Sequence, residues 1–150
     1  MNSLTGKRFN IRVYGLIINS LNEVLLSDEC RADFSFTKFP GGGLEFGESL
    51  TSCLQRELHE ELGLEFEIGE LFYVNEHVQL SKFNENDQLF TFYFLVNGAS
   101  FEGRFRDKYE IPLTIPGEKQ RWKKITSIQE EDFTFPIDKI VAKKLLTLYA

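Results

Sequence analysis

The run Pro40-Gly41-Gly42-Gly43, followed by a glutamate-rich stretch with helical spacing, constrains this chain more than any other segment. Phe34 to Phe39 alternates as a strand, and it must stop at a proline without an N–H donor and three residues without a Cβ. Residues 49–62 then read as a helix. At about 100° per residue, Leu50, Leu54, Leu58 and Leu62 form an apolar stripe that faces a core. Glu57, Glu60 and Glu61, spaced i, i+3, i+4, crowd one arc at the edge of that stripe. Carboxylates so placed repel one another, and partial burial adds a desolvation cost. A hard divalent cation, Mg²⁺ or Mn²⁺, removes both costs because it takes carboxylate oxygens and keeps open water positions. On the helix alone, a solvated acidic face explains the run equally well.

Placement of charge is more informative than its total. The chain carries −6 overall, whereas residues 41–70 hold eight Glu against the single Arg56, a local −7. The global charge argues for solubility and against binding a phosphate backbone, so no nucleic-acid polymer is expected as partner. The local charge calls for a compensating cation.

At 150 residues the chain has the size of one domain, and its 42% hydrophobic content, with fifteen Phe, excludes a disordered or fibrous protein. Its longest apolar run, Val13 to Ile18, is far shorter than the roughly 20 residues that span a bilayer, so no membrane partner is expected. Met1 to Arg8 has no apolar core of a signal peptide, and cytoplasm is the expected location. Cys30 and Cys53 lack CxxC spacing, which disfavours a disulfide framework or a zinc protein.

Phe9 to Asn19 is apolar on both parities, as in a strand covered on both faces. Asn19 to Asn22 turns into a partner strand at Glu23 to Ser27, and a polar loop is expected around Asp28 to Asp33. Phe66 to Val78 and Gln88 to Val96 read as further strands. Asn97-Gly98 reads as a hairpin turn, Pro116-Gly117 as a loop, and Arg121 to Ile125 as a short strand. Ile137, Ile140, Val141, Leu145 and Leu148 form a C-terminal amphipathic helix after Pro136. Two helices and mixed strands predict one α+β domain over residues 1–150.

Gly42, five residues, Glu48, seven residues, then Arg56-Glu57-Leu58-His59-Glu60-Glu61-Leu62-Gly63-Leu64 match all nine specified positions of GX5EX7REUXEEXGU, where U is aliphatic. In this the chain resembles the Nudix (MutT-like) hydrolases. The resemblance implies a Nudix-type α/β/α sandwich with a mixed sheet between helices, and hydrolysis of a nucleoside diphosphate linked to another moiety. It implies Mg²⁺ or Mn²⁺ held by Glu57, Glu60 and Glu61 with the Gly41 carbonyl, and Gly42 and Gly43 close to a bound diphosphate. Arg56 would orient the ligand carboxylates and Glu48 would hold Arg56. Glu61 and a later Glu are both candidates for the base; Glu118, after Pro116-Gly117, is favoured over Glu110.

Two marks of family subgroups, a proline or a tyrosine in the stretch after the motif, are absent at Leu80, Ser81 and Lys82. That leaves a compact hydrolase of a nucleoside triphosphate or nucleotide sugar, with a homodimer left open. A catalytically silent nucleotide-binding or sensor module is the alternative, disfavoured because every carboxylate of the motif is kept. His59 fills the variable slot and Cys53 is expected to be a packed thiol. Tyr14, Phe34, Phe36 and Tyr73 are aromatic enough to stack a base, though core packing is the commoner use.

Overall fold

The computed structural model describes residues 6–149; Ala150 and the first five residues, on which the reading of the N-terminus partly rests, lie outside them. Strand β1 (Arg8–Ile18) is buried on both parities from Val13 to Ile17, where a helix covers each face, whereas Phe9 at its start is exposed. Helix α1 (Leu50–Leu62) packs Cys53, Leu54, Leu58 and Leu62 against Val13 and Ile17. Helix α2 (Pro136–Tyr149) packs Ile137, Val141, Ala142 and Leu145 against Tyr14 and Leu16 on the opposite side. Alternation along one strand thus feeds two separate cores, and the result is the expected α/β/α sandwich in one domain.

The sheet is mixed. In order it runs β3 (Phe34–Lys38), β2 (Glu23–Arg31), β1, β6 (Asp87–Asn97) and β5 (Ile68–Val74). Strands β4 (Gly41–Gly43) and β7 (Gly117–Lys124) pair with β1 and β2. β1 and β6 run parallel, and the other pairs are antiparallel. No helix of the described residues is long and apolar enough to cross a membrane.

Three local readings are corrected. The polar stretch from Asp28 is not a loop: β2 continues to Arg31, because buried Asp28 accepts hydrogen bonds from Arg121 Nε at 2.7 Å and the Tyr109 hydroxyl at 2.6 Å. Partners from β7 and from the loop before it satisfy a carboxylate that would otherwise keep the segment in water. The short strand at Arg121 to Ile125 begins at Gly117, since β7 follows β2 from Cys30 to Glu23, and Glu118 therefore lies in a strand. Asn97-Gly98 does not close a hairpin: a 3-10 turn at Ala99–Phe101 follows, and the chain leaves to reach β2.

Helix α1 has the ends its sequence calls for. Ser49 caps it, accepting from the Ser52 N–H at 3.1 Å, and Gly63 closes it at φ 70°.

Asp138 sits in the first turn of α2, buried, and accepts a 2.6 Å hydrogen bond from the Tyr93 hydroxyl. Burial pushes its carboxyl up to about 7. A carboxyl with a folded value above its unfolded value of about 3.9 contributes stability that is complete below the unfolded value and lost as the pH climbs through the folded one. Asp138→Asn should therefore gain stability over wild type between about pH 4 and 7, by up to about 1.4 kcal/mol per pH unit, in paired urea titrations. Parallel curves for the two proteins would show that Asp138 does not titrate in that window.

Candidate active site

The site exists because β1 and β2 separate. They pair at Ile18 and Val24, after which β1 takes β4 as its neighbour and β2 takes β3. The segment from β3 through Phe39-Pro40 to β4 crosses from one to the other, and the Pro40 carbonyl accepts from the Gly15 N–H at 2.8 Å. A cleft opens beside this crossing, with β4 and α1 on one side and the Glu29 and Glu118 region of β2 and β7 on the other.

Glycines let α1 come close. Gly41 has φ 144°, and a Cβ there would run into the Val13 carbonyl and Tyr14. A Cβ at Gly42 would occupy the space of the Glu57 carboxylate. Only residues without side chains bring these backbones to the helix. The Gly41 N–H then donates to Glu61 Oε1 at 2.9 Å, and the Cys53 thiol donates to the Gly43 carbonyl at 3.5 Å. Burial pushes that thiol up to about 12, so Cys53 is a packed group rather than a nucleophile.

Arg56 ties the loop to the helix. Its Nε and Nη2 donate to Glu48 at 2.6 and 3.0 Å, Nη2 also donates to the Gly43 carbonyl at 3.1 Å, and Nη1 donates to Glu57 at 2.8 Å and Glu60 at 3.0 Å. The guanidinium holds the Glu48 carboxyl down at about 2. Glu61 is in the opposite condition: burial pushes it up to about 8 against the pull of Lys38 Nζ at 3.9 Å, and Glu118 adds to the rise.

Glu118 lines this cleft and accepts from the Ser27 hydroxyl at 3.0 Å; Glu110 is exposed and is not among the residues lining it. Opposite Glu118 in the β2–β7 register stands Glu29, whose carboxyl burial pushes up and whose Oε2 is buried without a hydrogen-bond partner. His59 and His77 are both exposed.

Among the described residues no three carboxylates already converge on one point: Arg56 holds Glu57 and Glu60, while the Gly41 N–H and Lys38 hold Glu61. In kind, however, the donors fit a hard divalent cation. They are carboxylate oxygens around a backbone that glycines leave open, beside a buried oxygen of Glu29 that has no hydrogen-bond partner and only Arg31 Nη2 at 3.8 Å as a countercharge.

A second cavity, of about 280 Å³, lies between the sheet and the start of α2. Tyr14 and Phe36 line it, Phe135 and Phe83 close it from the residue before α2 and from the loop after β5, and Thr91 and Asp138 supply polar atoms. The Thr91 hydroxyl there is buried with no hydrogen-bond partner. Phe34 stacks on Phe36 at 5.4 Å; Tyr73 packs near Tyr93 and is not among the residues lining the cavity.

Arg12, Arg31 and Lys38 line both the cavity and the cleft, and together with Glu29 they escaped the motif-based reading. Their signal was a charge within an apolar strand: Arg12 between Ile11 and Val13, Lys38 before Phe39.

A family model described as the NUDIX domain matches residues 8–144. The chain is 42% identical over 62 residues to a protein named RNA pyrophosphohydrolase from Ruthia magnifica subsp. Calyptogena magnifica, covering 41% of this chain and 32% of that protein. It is 36% identical over 72 residues to an RNA pyrophosphohydrolase of Haemophilus influenzae strain PittEE, covering 48% of this chain and 35% of the relative. These matches thus span about a third of the relatives' length. The fold is similar to the solution structure of the E. coli ORF135 protein (TM-score 0.67, 21% identity, 99% of this chain and 96% of that one). It is likewise similar to a MutT NUDIX hydrolase of Burkholderia pseudomallei (TM-score 0.66, 17% identity, 91% and 98%). With the family model covering nearly its whole length and Gly42, Glu57, Glu60 and Glu61 of the motif lining one cleft, the chain belongs to the Nudix family.

Proposed function

We propose that the protein is a Mg²⁺- or Mn²⁺-dependent pyrophosphohydrolase of a nucleoside diphosphate linked to another moiety, a (deoxy)nucleoside triphosphate or a nucleotide sugar. One observation carries the reading: a carboxylate cleft built on Gly41–Gly43 opens beside an aromatic-lined cavity of about 280 Å³ that holds an unpartnered hydroxyl. The cleft suits a metal-bound diphosphate, and the cavity has the size and lining of a seat for a base and its sugar.

Glu57, Glu60, Glu61 and the Gly41 carbonyl would hold the ion. When bound, it neutralises diphosphate charge and lowers the pKa of a coordinated water. The chain's own residues do the rest. Arg56, anchored by Glu48, sets the rotamers of Glu57 and Glu60. Gly42 and Gly43 leave room for phosphate oxygens beside the backbone. Water attacks phosphorus in line with the leaving phosphoryl oxygen, and its proton passes to a cleft carboxylate, Glu61 or Glu118. A nucleoside triphosphate then yields the monophosphate and pyrophosphate.

A second reading, removal of pyrophosphate from the 5′ end of RNA, is favoured by the likeness to proteins named RNA pyrophosphohydrolase. Product analysis with Mg²⁺ or Mn²⁺ against free nucleotides, nucleotide sugars and a 5′-triphosphorylated RNA decides between them. Nucleotide-dependent stabilisation without any product would instead indicate a binding module.

Two variants test the machinery. Mg²⁺ should raise the melting temperature of the wild type and much less that of Glu57→Gln, which should also lose turnover, since a ligand bound only by the folded state stabilises it by mass action. Equal shifts would mean non-specific screening. Glu118→Gln should lower kcat by a factor of about 10² or more, a typical loss for an acid–base group, with Glu110→Gln unchanged. A loss confined to Glu110→Gln would move the role to the exposed loop.

A further inference from the structure

Arg12 is a cation in direct contact with no carboxylate, although Glu57 and Glu29 of the same cleft lie near enough to favour its charged form. It is half-buried, its Nε donates to the Tyr14 hydroxyl at 2.7 Å, and among the described residues it forms no ion pair. Burying a guanidinium without a carboxylate costs stability, so an unpaired one inside a functional cleft points to an anionic ligand. Its position sharpens this. Arg12 lies where the aromatic cavity and the carboxylate cleft meet, and two other cations share the junction. Lys38 is 5% exposed, with Nζ donating to the Gly41 carbonyl at 3.4 Å. Arg31 lies 5.5 Å over Phe36 and 5.3 Å over Phe83, with Nη2 3.8 Å from Glu29 Oε2. Tyr14 fixes Arg12 through Nε, which leaves the two Nη groups as a fork matched to two oxygens of one phosphate.

Resting on the nucleotide reading above, we propose that Arg12, supported by Lys38 and Arg31, binds the phosphoryl group attached directly to the nucleoside, the one the monophosphate product retains. With the base and sugar in the cavity and the distal phosphoryl group in the cleft, this phosphate has to cross the junction. Glutamates repel it on the cleft side, and the three cations offset that repulsion. Arg12 is therefore a substrate-binding and positioning residue that places the bond to be cut against the carboxylates.

The test is calorimetric titration in EDTA of the 5′-monophosphates of adenosine, guanosine, cytidine and uridine, and of the four nucleosides, with steady-state kinetics on whichever nucleotide the wild type hydrolyses. At least one monophosphate should bind the wild type. Arg12→Gln should weaken that binding about tenfold or more, leave the matching nucleoside unchanged and raise KM. Tyr14→Phe, which frees Nε but keeps the guanidinium and the ring, should weaken it by a smaller factor and serves as the readout if Arg12→Gln does not fold. Wild-type monophosphate affinity in Arg12→Gln, or in Tyr14→Phe where that variant is the readout, overturns the proposal, as does a wild type that hydrolyses nucleotides yet binds no monophosphate. In both cases the hydrolase reading stands. A wild type that neither hydrolyses nor binds any nucleotide overturns the nucleotide reading, and this proposal with it.

Discussion

The close approach of helix α1 to the glycine strand β4 is the constraint on which the rest of this structure depends. Gly41 and Gly42 have no room for a Cβ, one against β1 and the other against the Glu57 carboxylate. Because they have none, a backbone N–H reaches Glu61 and a backbone carbonyl reaches Arg56. The helix is thereby fixed to the sheet by polar contacts at one edge and by leucines at the other, and its carboxylates are positioned rather than free to rotate into solvent. A side chain at either glycine would separate these layers and the cleft would lose its geometry.

That approach concentrates negative charge, and the molecule answers it from several directions. Arg56 answers from within the helix, Lys38 from β3 and Arg12 from β1. These cations differ in what they have left to offer. Arg56 is saturated by carboxylates and a carbonyl, whereas Arg12 is held through one nitrogen. The first organises the site, and the second is available to a ligand. Glu61 shows the other side of this balance: burial and neighbouring carboxylates push it up to about 8 even with Lys38 nearby, so the cluster is at its least comfortable without added positive charge.

Much of this was legible before any coordinates. Helix α1, its end before Gly63, the strand break at Pro40 and the acidic arc all follow from local rules, because glycine geometry and a four-residue repeat act over a few residues. The strand assignments failed where long-range partners decide. Asp28 looked like loop because its partners Arg121 and Tyr109 lie more than eighty residues away in the chain. Asn97-Gly98 looked like a hairpin because the dipeptide permits one, but β7 pairs with β2, while β6 lies between β1 and β5.

By itself, the sequence determined the class of fold, the family motif and the identity of the helical carboxylates, since each is written in residue spacing along a short segment. Only the tertiary structure decided that β1 and β2 part, that Glu118 rather than Glu110 faces the helix, that Glu29 stands beside it, and that Arg12, Arg31 and Lys38 line the passage between cleft and cavity. Those residues come from four different strands, and no periodicity within one segment can bring them together. Sheet pairing and two-sided packing do, and they are set by the whole chain.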